Sequence, residues 1–282
     1  MPADGLAVLL RSFRLPTMAA IWEESVTRAE RENWGYKRLL QHLCESEEQD
    51  RRERKMDRLL KESGLPNGKT LGSLDEKKLP AKIRRLLPTL LEGQFVDRAE
   101  NILAFGLPGR GKTHFLAALG RELVLRHRYP VLFVPTFKLV QQLLLAKREL
   151  RLDKELKRLD RYAVVVCDDL GYVQQDRQEM EVLFTFLAER YERRSVLISS
   201  NLVFSKWDQI FKDPMTTMAA IDRLVHHAMI LDFNGGSVRA QEAQEREKGQ
   251  IQPPGGPFGS TASLSPDGAK DSVPPKGPIP QE

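Results

Sequence analysis

Residues 106–113 read GLPGRGKT, and no other stretch limits the fold as strongly. The run satisfies G-x-x-x-x-G-K-[ST] at Gly106, Gly111, Lys112 and Thr113. Glycines at 106, 109 and 111 allow backbone N–H groups to converge on a phosphate without side chains in the way. Such a loop needs a strand before it and a helix after it, whose free N-terminal N–H groups and positive dipole end face the anion. Both are legible: ILAFG at 102–106 reads as a buried strand and KTHFLAALGRELVLRH as a helix. The predicted ligand is a nucleoside triphosphate with Mg²⁺. It is cradled by Gly106, Pro108, Gly109, Arg110, Gly111 and His114, with Lys112 on the β/γ-phosphates and the Thr113 hydroxyl on the metal.

Downstream, short apolar runs alternate with longer helical ones. VLFVP at 131–135, YAVVVCDD at 162–169, SVLISSN at 195–201 and MILDF at 229–233 read as strands; the segments between them carry helical periodicity. Apolar strands separated by helices predict a parallel sheet covered on both faces, an α/β fold. Ligands of such sheets lie at the carboxyl ends of the strands. The third strand delivers Asp168 and Asp169 there. Asp168 is the candidate metal-side carboxylate, and Asp169 the candidate to orient or activate water, unless it only caps the next turn. Asn201 ends the fourth strand, placed to hold water or the γ-phosphate, although asparagine also caps helices. On the last helix, Asp222 and Arg223 are adjacent and do not face each other, so Arg223 is free to reach a neighbouring subunit's γ-phosphate. His226 and His227 have no cysteine or carboxylate at ligand spacing and read as surface or interface groups.

The amino-terminal part differs. Leu6, Leu9, Leu10 and Phe13 share a helical face, Pro16 opens a second helix, and a long charged helix ends near Gly64. Residues 65–95, with four proline and glycine punctuators before Pro88, read as a connector carrying one short helix around 82–91. Basic residues cluster at Arg51, Arg52, Arg54 and Lys55, and at Lys77, Lys78, Lys82, Arg84 and Arg85. They are candidate DNA contacts or solvated helix faces. Residues 241–282 become rich in Pro, Gly and Ser and are expected to be disordered. The formal net charge of +5 leans toward an anionic partner. Cys44 and Cys167 make no disulfide framework, Cys167 reads as a buried thiol, and no apolar run is long enough to span a membrane, so a cytoplasmic protein is expected.

No LSGGQ-like signature or NKxD-like guanine reader is present. The segments AENILAFGLPGRGKTHFLAALG, VVVCDDLGY, ERYERRSVLISSNLVFSKW and IDRLVHHAMIL resemble the IstB-like family. These are helper ATPases of insertion-sequence transposons, related to DnaC helicase loaders and the AAA+ class. The resemblance implies an AAA+ P-loop core whose parallel five-stranded sheet has the order 5-1-4-3-2, preceded by a small all-helical domain. It divides the chain into 1–64, a connector at 65–95, an ATPase core at 96–240 and a tail. It further implies ATP hydrolysis, homo-oligomerisation on double-stranded DNA and delivery of that DNA to a cognate transposase. Lys112 and Thr113 then match the Walker A lysine and hydroxyl, Asp168 and Asp169 the Walker B pair, Asn201 sensor 1, and Arg223 the arginine finger. The family loop usually carries a small residue or threonine where Arg110 stands. A helicase loader acting on single-stranded DNA shares this chemistry and is the second reading. A nucleotide switch without useful hydrolysis is the third.

Overall fold

A computed structural model describes residues 3–170, 177–202, 222 and 224–233. The sheet contains β1 (Asn101–Phe105), β2 (Val131–Pro135), β3 (Val164–Leu170), β4 (Ser195–Ser200) and β5 (Ala228–Asp232). All neighbouring pairs are parallel, in the order β2-β3-β4-β1-β5. Read from β5, this is the expected 5-1-4-3-2.

Period-two alternation sends successive residues to opposite faces, and both faces are apolar. Ile102, Ala104, Val164, Val166 and Leu197 belong to one buried cluster. Leu103, Phe105, Val165, Cys167, Val196 and Ile198 belong to the other. The first face is covered by α6 (Lys112–His127), which buries Phe115, Leu116, Leu119 and Leu123, and by α4 (Ala81–Leu91), which adds Ile83, Leu87 and Leu90. The second is covered by α7 (Thr136–Arg148), α8 (Leu152–Leu159) and α9 (Arg177–Arg190). A short helix, α5 (Gln94–Asp97), leads into β1 and buries Phe95 and Val96. The stretch that reads as a connector therefore builds core: Leu65, Leu79 and the apolar stripe of α4 pack beneath the sheet. Its prolines punctuate the chain without excluding it from the interior; Pro88 sits inside α4 with its ring exposed.

Upstream lie α1 (Ala3–Ser12), α2 (Pro16–Arg31) and α3 (Tyr36–Glu62). The helices are as expected, but the shared face of α1 is not a core face: Leu6, Leu9 and Phe13 are exposed. The contact between α2 and α3 is organised by a buried carboxylate. Glu47 of α3 accepts from the Thr17 and Met18 backbone N–H groups at 2.8 and 3.1 Å, capping α2 from outside its own chain segment. The far end of α3 runs onto the sheet, where Leu59 joins the core and the Ser63 carbonyl accepts from the Phe133 N–H of β2 at 2.6 Å. The expected 241–282 tail lies outside the described residues. Among the described residues no helix is long and apolar enough to cross a membrane.

Candidate nucleotide-binding site

The loop leaves β1 through Gly106 at φ +146°, and a Cβ there would stand 2.9 Å from the Phe233 carbonyl oxygen. Glycine is therefore required by the close pass of the chain after β5 as well as by its dihedral. Gly109 and Gly111 also have positive φ, and Lys112 and Thr113 open α6. The loop thus ends at the first turn of a 16-residue helix, whose N–H groups point toward it. Lys112 is buried, and its Nζ donates to the Gly106 and Leu107 carbonyls at 2.6 and 3.0 Å and to Asn201 Oδ1 at 2.8 Å. Arg110 is partly buried, and its Nη1 has no hydrogen-bond partner. A buried guanidinium nitrogen without an acceptor suits an oxygen-rich anion in the loop.

The acids at the end of β3 are presented by a bulge. The β3–β4 register shifts between Cys167 and Leu170, and Asp169 adopts φ +63°. In a regular strand, adjacent side chains would point to opposite faces. The bulge overcomes this, at a local backbone cost of about 1–3 kcal/mol. Both acids are then held by β4. Ser199 Oγ donates to Asp168 Oδ1 at 2.6 Å and accepts from the Asp169 N–H at 2.8 Å. Asn201 Nδ2 donates to Asp169 Oδ1 at 2.8 Å, and Thr136 Oγ1 donates to the Asp168 carbonyl at 2.9 Å. A continuous path runs from Lys112 through Asn201 to Asp169.

Sequence reasoning singled out Lys112, Asp168, Asp169 and Asn201, which the fold brings together. It passed over Ser199 and Thr136. Ser199 had a readable signal, since it lies two positions before Asn201, where the 195–201 run reads as one strand, and so shares its side of that run. His114 turns away from the loop: its Nε2 lies 3.0 Å from Ser73 Oγ and 3.1 Å from the Thr70 carbonyl. It ties the first turn of α6 to the 70–73 turn. Arg223 lies outside the described residues. Cys167 is buried as expected, which pushes its thiol up to about 12.

The two basic clusters differ. Arg51 pairs with Glu47 at 2.9 Å and also reaches the Arg14 carbonyl; Arg54 reaches Glu47 and Thr17 Oγ1; Arg52 pairs with Glu48. Three of those arginines therefore carry local partners, and Lys55 is exposed. Lys78 lies 3.8 Å from Asp75, whereas Lys77, Lys82, Arg84 and Arg85 are exposed, with no ion pair among the described residues.

Sheet order, glycine loop and the acids at the end of β3 define an ATP-binding P-loop protein of the AAA+ class. The chain belongs to the family of IstB-like ATP binding proteins, which matches residues 8–246. It is 39% identical to a Sinorhizobium fredii protein named as an insertion-sequence ATP-binding protein, over 92% of this chain and 87% of that one. Identity to the corresponding protein of IS5376 from Geobacillus stearothermophilus is 35%, over 84% and 94% of the two chains. For that of IS21 from Pseudomonas aeruginosa it is 34%, over 85% and 90%. Among solved structures, the fold is shared with DnaI (TM-score 0.50, 20% identity, 60% of this chain and 95% of that one). It is shared also with the replication initiator DnaA bound to AMPPCP and single-stranded DNA (TM-score 0.53, 16% identity, 66% and 56%).

Proposed function

We propose that this protein hydrolyses ATP to ADP and phosphate, and that ATP binding drives its assembly on duplex DNA, which it presents to a partner transposase. The observation that carries the reading is the connected set Lys112–Asn201–Asp169 with Ser199 beneath both acids. A nucleotide-binding protein without hydrolysis needs the lysine but not an oriented carboxylate beside it. In this proposal Lys112 exchanges its carbonyl partners for β/γ-phosphate oxygens, and the Arg110 Nη1 finds its acceptor there. Asp169, fixed by Asn201, orients the attacking water. The water oxygen bonds to the γ-phosphorus, the bond to the β–γ bridging oxygen breaks, and ADP leaves with that electron pair. Thr113 and Asp168 would hold Mg²⁺, which supplies charge neutralisation at the phosphates. Arg223 acts in trans as the arginine finger.

In the same reading, residues 1–64 face DNA and the partner, 65–95 join them to the ATPase core of 96–240 while packing beneath its sheet, and the reaction is cytoplasmic. The exposed residues Lys77, Lys82, Arg84 and Arg85 offer a phosphate-contacting surface, and Lys55 can extend it. Arg51 and Arg54 serve chiefly to hold α2 and α3 together. Binding by phosphate contacts is sequence-independent and weakens steeply with salt.

The test is phosphate release together with anisotropy of labelled duplex and single-stranded DNA, with ATP and across a salt series. Expected are ATP-dependent duplex binding with a steep salt slope, and loss of binding when Lys82, Arg84 and Arg85 are reversed to Glu. Tight ATP binding without phosphate release would reduce the protein to a switch. Preference for single strands over duplex would favour the helicase-loader reading. For the finger, Arg223→Ala hydrolyses poorly alone and partly recovers when mixed with Asp169→Asn, because mixed assemblies contain some intact shared sites. An Arg223→Ala protein as fast as the parent, on DNA, ends that assignment.

A further inference from the structure

At the opposite edge of the sheet from the glycine loop, three side chains distant in sequence converge. Glu192 lies in the turn before β4, and His226 and His227 immediately precede β5. Ring nitrogens of both histidines and a carboxylate oxygen of Glu192 all lie within 4.8 Å of one another. The sequence offered no carboxylate at ligand spacing for the histidine pair; the parallel pairing of β4 and β5 on either side of β1 supplies one through space.

We propose that Glu192, His226 and His227 form a binding site for a borderline divalent transition-metal ion, Zn²⁺ being the natural occupant, with solvent completing the coordination. Two imidazoles and one carboxylate suit such ions, and disfavour Mg²⁺ and Ca²⁺, which take all-oxygen sets. A tetrahedral ion with bonds of about 2.0–2.2 Å spaces its ligand atoms roughly 3.4 Å apart. His227 Nε2 and Glu192 Oε1 are already 3.4 Å apart. The His226 and His227 ring centroids are 4.2 Å apart, so a small rotation of one ring closes the set.

Two further features prepare the site. The Tyr191 hydroxyl lies 3.0 Å from His226 Nδ1, the kind of outer partner that fixes the orientation and tautomer of a ligating imidazole. The backbones that carry the ligands are also held. The His227 carbonyl accepts from the Asn101 N–H at 2.7 Å, and the Leu224 carbonyl accepts from buried Asn101 Nδ2 at 3.2 Å. The turn around Glu192 is closed by Arg193 and Arg194 N–H groups donating to the Arg190 carbonyl, both at 3.0 Å. Arg193 itself pairs with Asp160 and Glu189 and does not compete for Glu192. An ion here clips the start of β4 to the start of β5, across the start of β1. The site is independent of nucleotide and needs none to be tested.

The experiment is titration of the full-length, tag-free, metal-stripped protein with Zn²⁺ by calorimetry and with Co²⁺ by visible absorption, without nucleotide. The expected result is one ion per chain, a Co²⁺ d–d band, and a thermal midpoint raised by about 2–4 °C when the site is filled. His227→Ala and Glu192→Gln should abolish the band. Tyr191→Phe should weaken affinity by roughly 10-fold, the usual cost of losing an outer partner. The ligands are exposed, so these variants fold. His42→Ala/Cys44→Ser, which removes the exposed Cys44 and its neighbouring imidazole, should bind as the parent does. No stoichiometric uptake overturns the site. Uptake that survives His227→Ala, or that is lost with His42→Ala/Cys44→Ser, overturns it equally.

Discussion

The carboxyl edge of the sheet and the helices α1–α3 are both built around buried charge, but on different scaffolds. Lys112 stands on α6 and the two acids on β3, elements whose apolar residues are almost wholly buried. Strain at Asp169 is tolerated there because packing on both faces over-determines the chain. Helices α2 and α3 bury little: Met18, Ala19 and Ala29 from one, Leu59 from the other, and the polar Ser25 and Glu47. Here the charge is the organising contact. A carboxylate held by side-chain donors supports chemistry where the core is rigid, and one that also takes backbone N–H groups replaces a core where it is thin.

Four substitutions probe this difference, from the largest expected effect to the smallest. Asp169→Asn removes the group that accepts a proton or orients water while keeping its shape. Steady-state phosphate release should fall by about 10²–10⁴-fold, with ATP affinity nearly unchanged. A variant as fast as the parent would shift the role to Asn201. Lys112→Ala removes charge-assisted hydrogen bonds to the phosphates. Calorimetry should show ATP affinity weakened by roughly 10²-fold, on the basis of about 1.5–3 kcal/mol per such bond. Unchanged affinity would show that the loop does not bind through its lysine.

Glu47→Ala strikes the other region. It leaves the Thr17 and Met18 N–H groups without their cap and should cost about 1–3 kcal/mol, discounted because Arg51 is half exposed. The loss should be confined to α1–α3, so hydrogen exchange there rises while ATP affinity holds. Burial pushes the Glu47 pKa up, but the Met18 N–H, Arg51 and the Thr17 N–H outweigh it, and the net value lies below the ordinary 4.5. A depressed carboxyl pKa stabilises the fold above the unfolded value, and that contribution is lost as pH falls through the folded one. Exchange in α2 should therefore accelerate below about pH 4.5 in the parent and not in the variant. Equal acid sensitivity in both would remove Glu47 from its organising role. Ser199→Ala is the mildest. It unties both acids without touching nucleotide and should slow hydrolysis by about 10-fold, consistent with one lost hydrogen bond. An effect on ATP affinity rather than turnover would place Ser199 with the binding groups instead.

The strands and the glycine loop were legible because their signals are local. Each observed strand starts and ends within about two residues of its apolar run, the ordinary scatter of such boundaries. Lys112, Asp168, Asp169 and Asn201 were legible because a parallel sheet gathers strand ends at one edge. What escaped was non-local. The bulge at Asp169 has no signal in VVVCDD, since any strand can carry it. The Glu47 cap joins two helices at positions about 30 apart, from the charged middle of α3, where one acid among many has no distinguishing mark. The burial of Leu79, Ile83, Leu87 and Leu90 was hidden by the prolines around them, whose effect on backbone geometry says nothing about depth. Glu192 meets His226 and His227 only because β4 and β5 flank β1.

The bond from Phe133 N–H to the Ser63 carbonyl has a consequence for solubility. β2 is an outer strand, and an outer strand with free backbone donors is a template for indiscriminate pairing with another chain. The end of α3 occupies part of that template. Gly64, at φ +66°, turns the chain so closely that a Cβ there would lie 2.9 Å from the Phe133 carbonyl oxygen. Removing the amino-terminal helices to obtain a minimal ATPase fragment would therefore uncover a sticky margin as well as delete a module. Such a fragment is expected to aggregate through β2, and a charged residue on that strand would be the remedy.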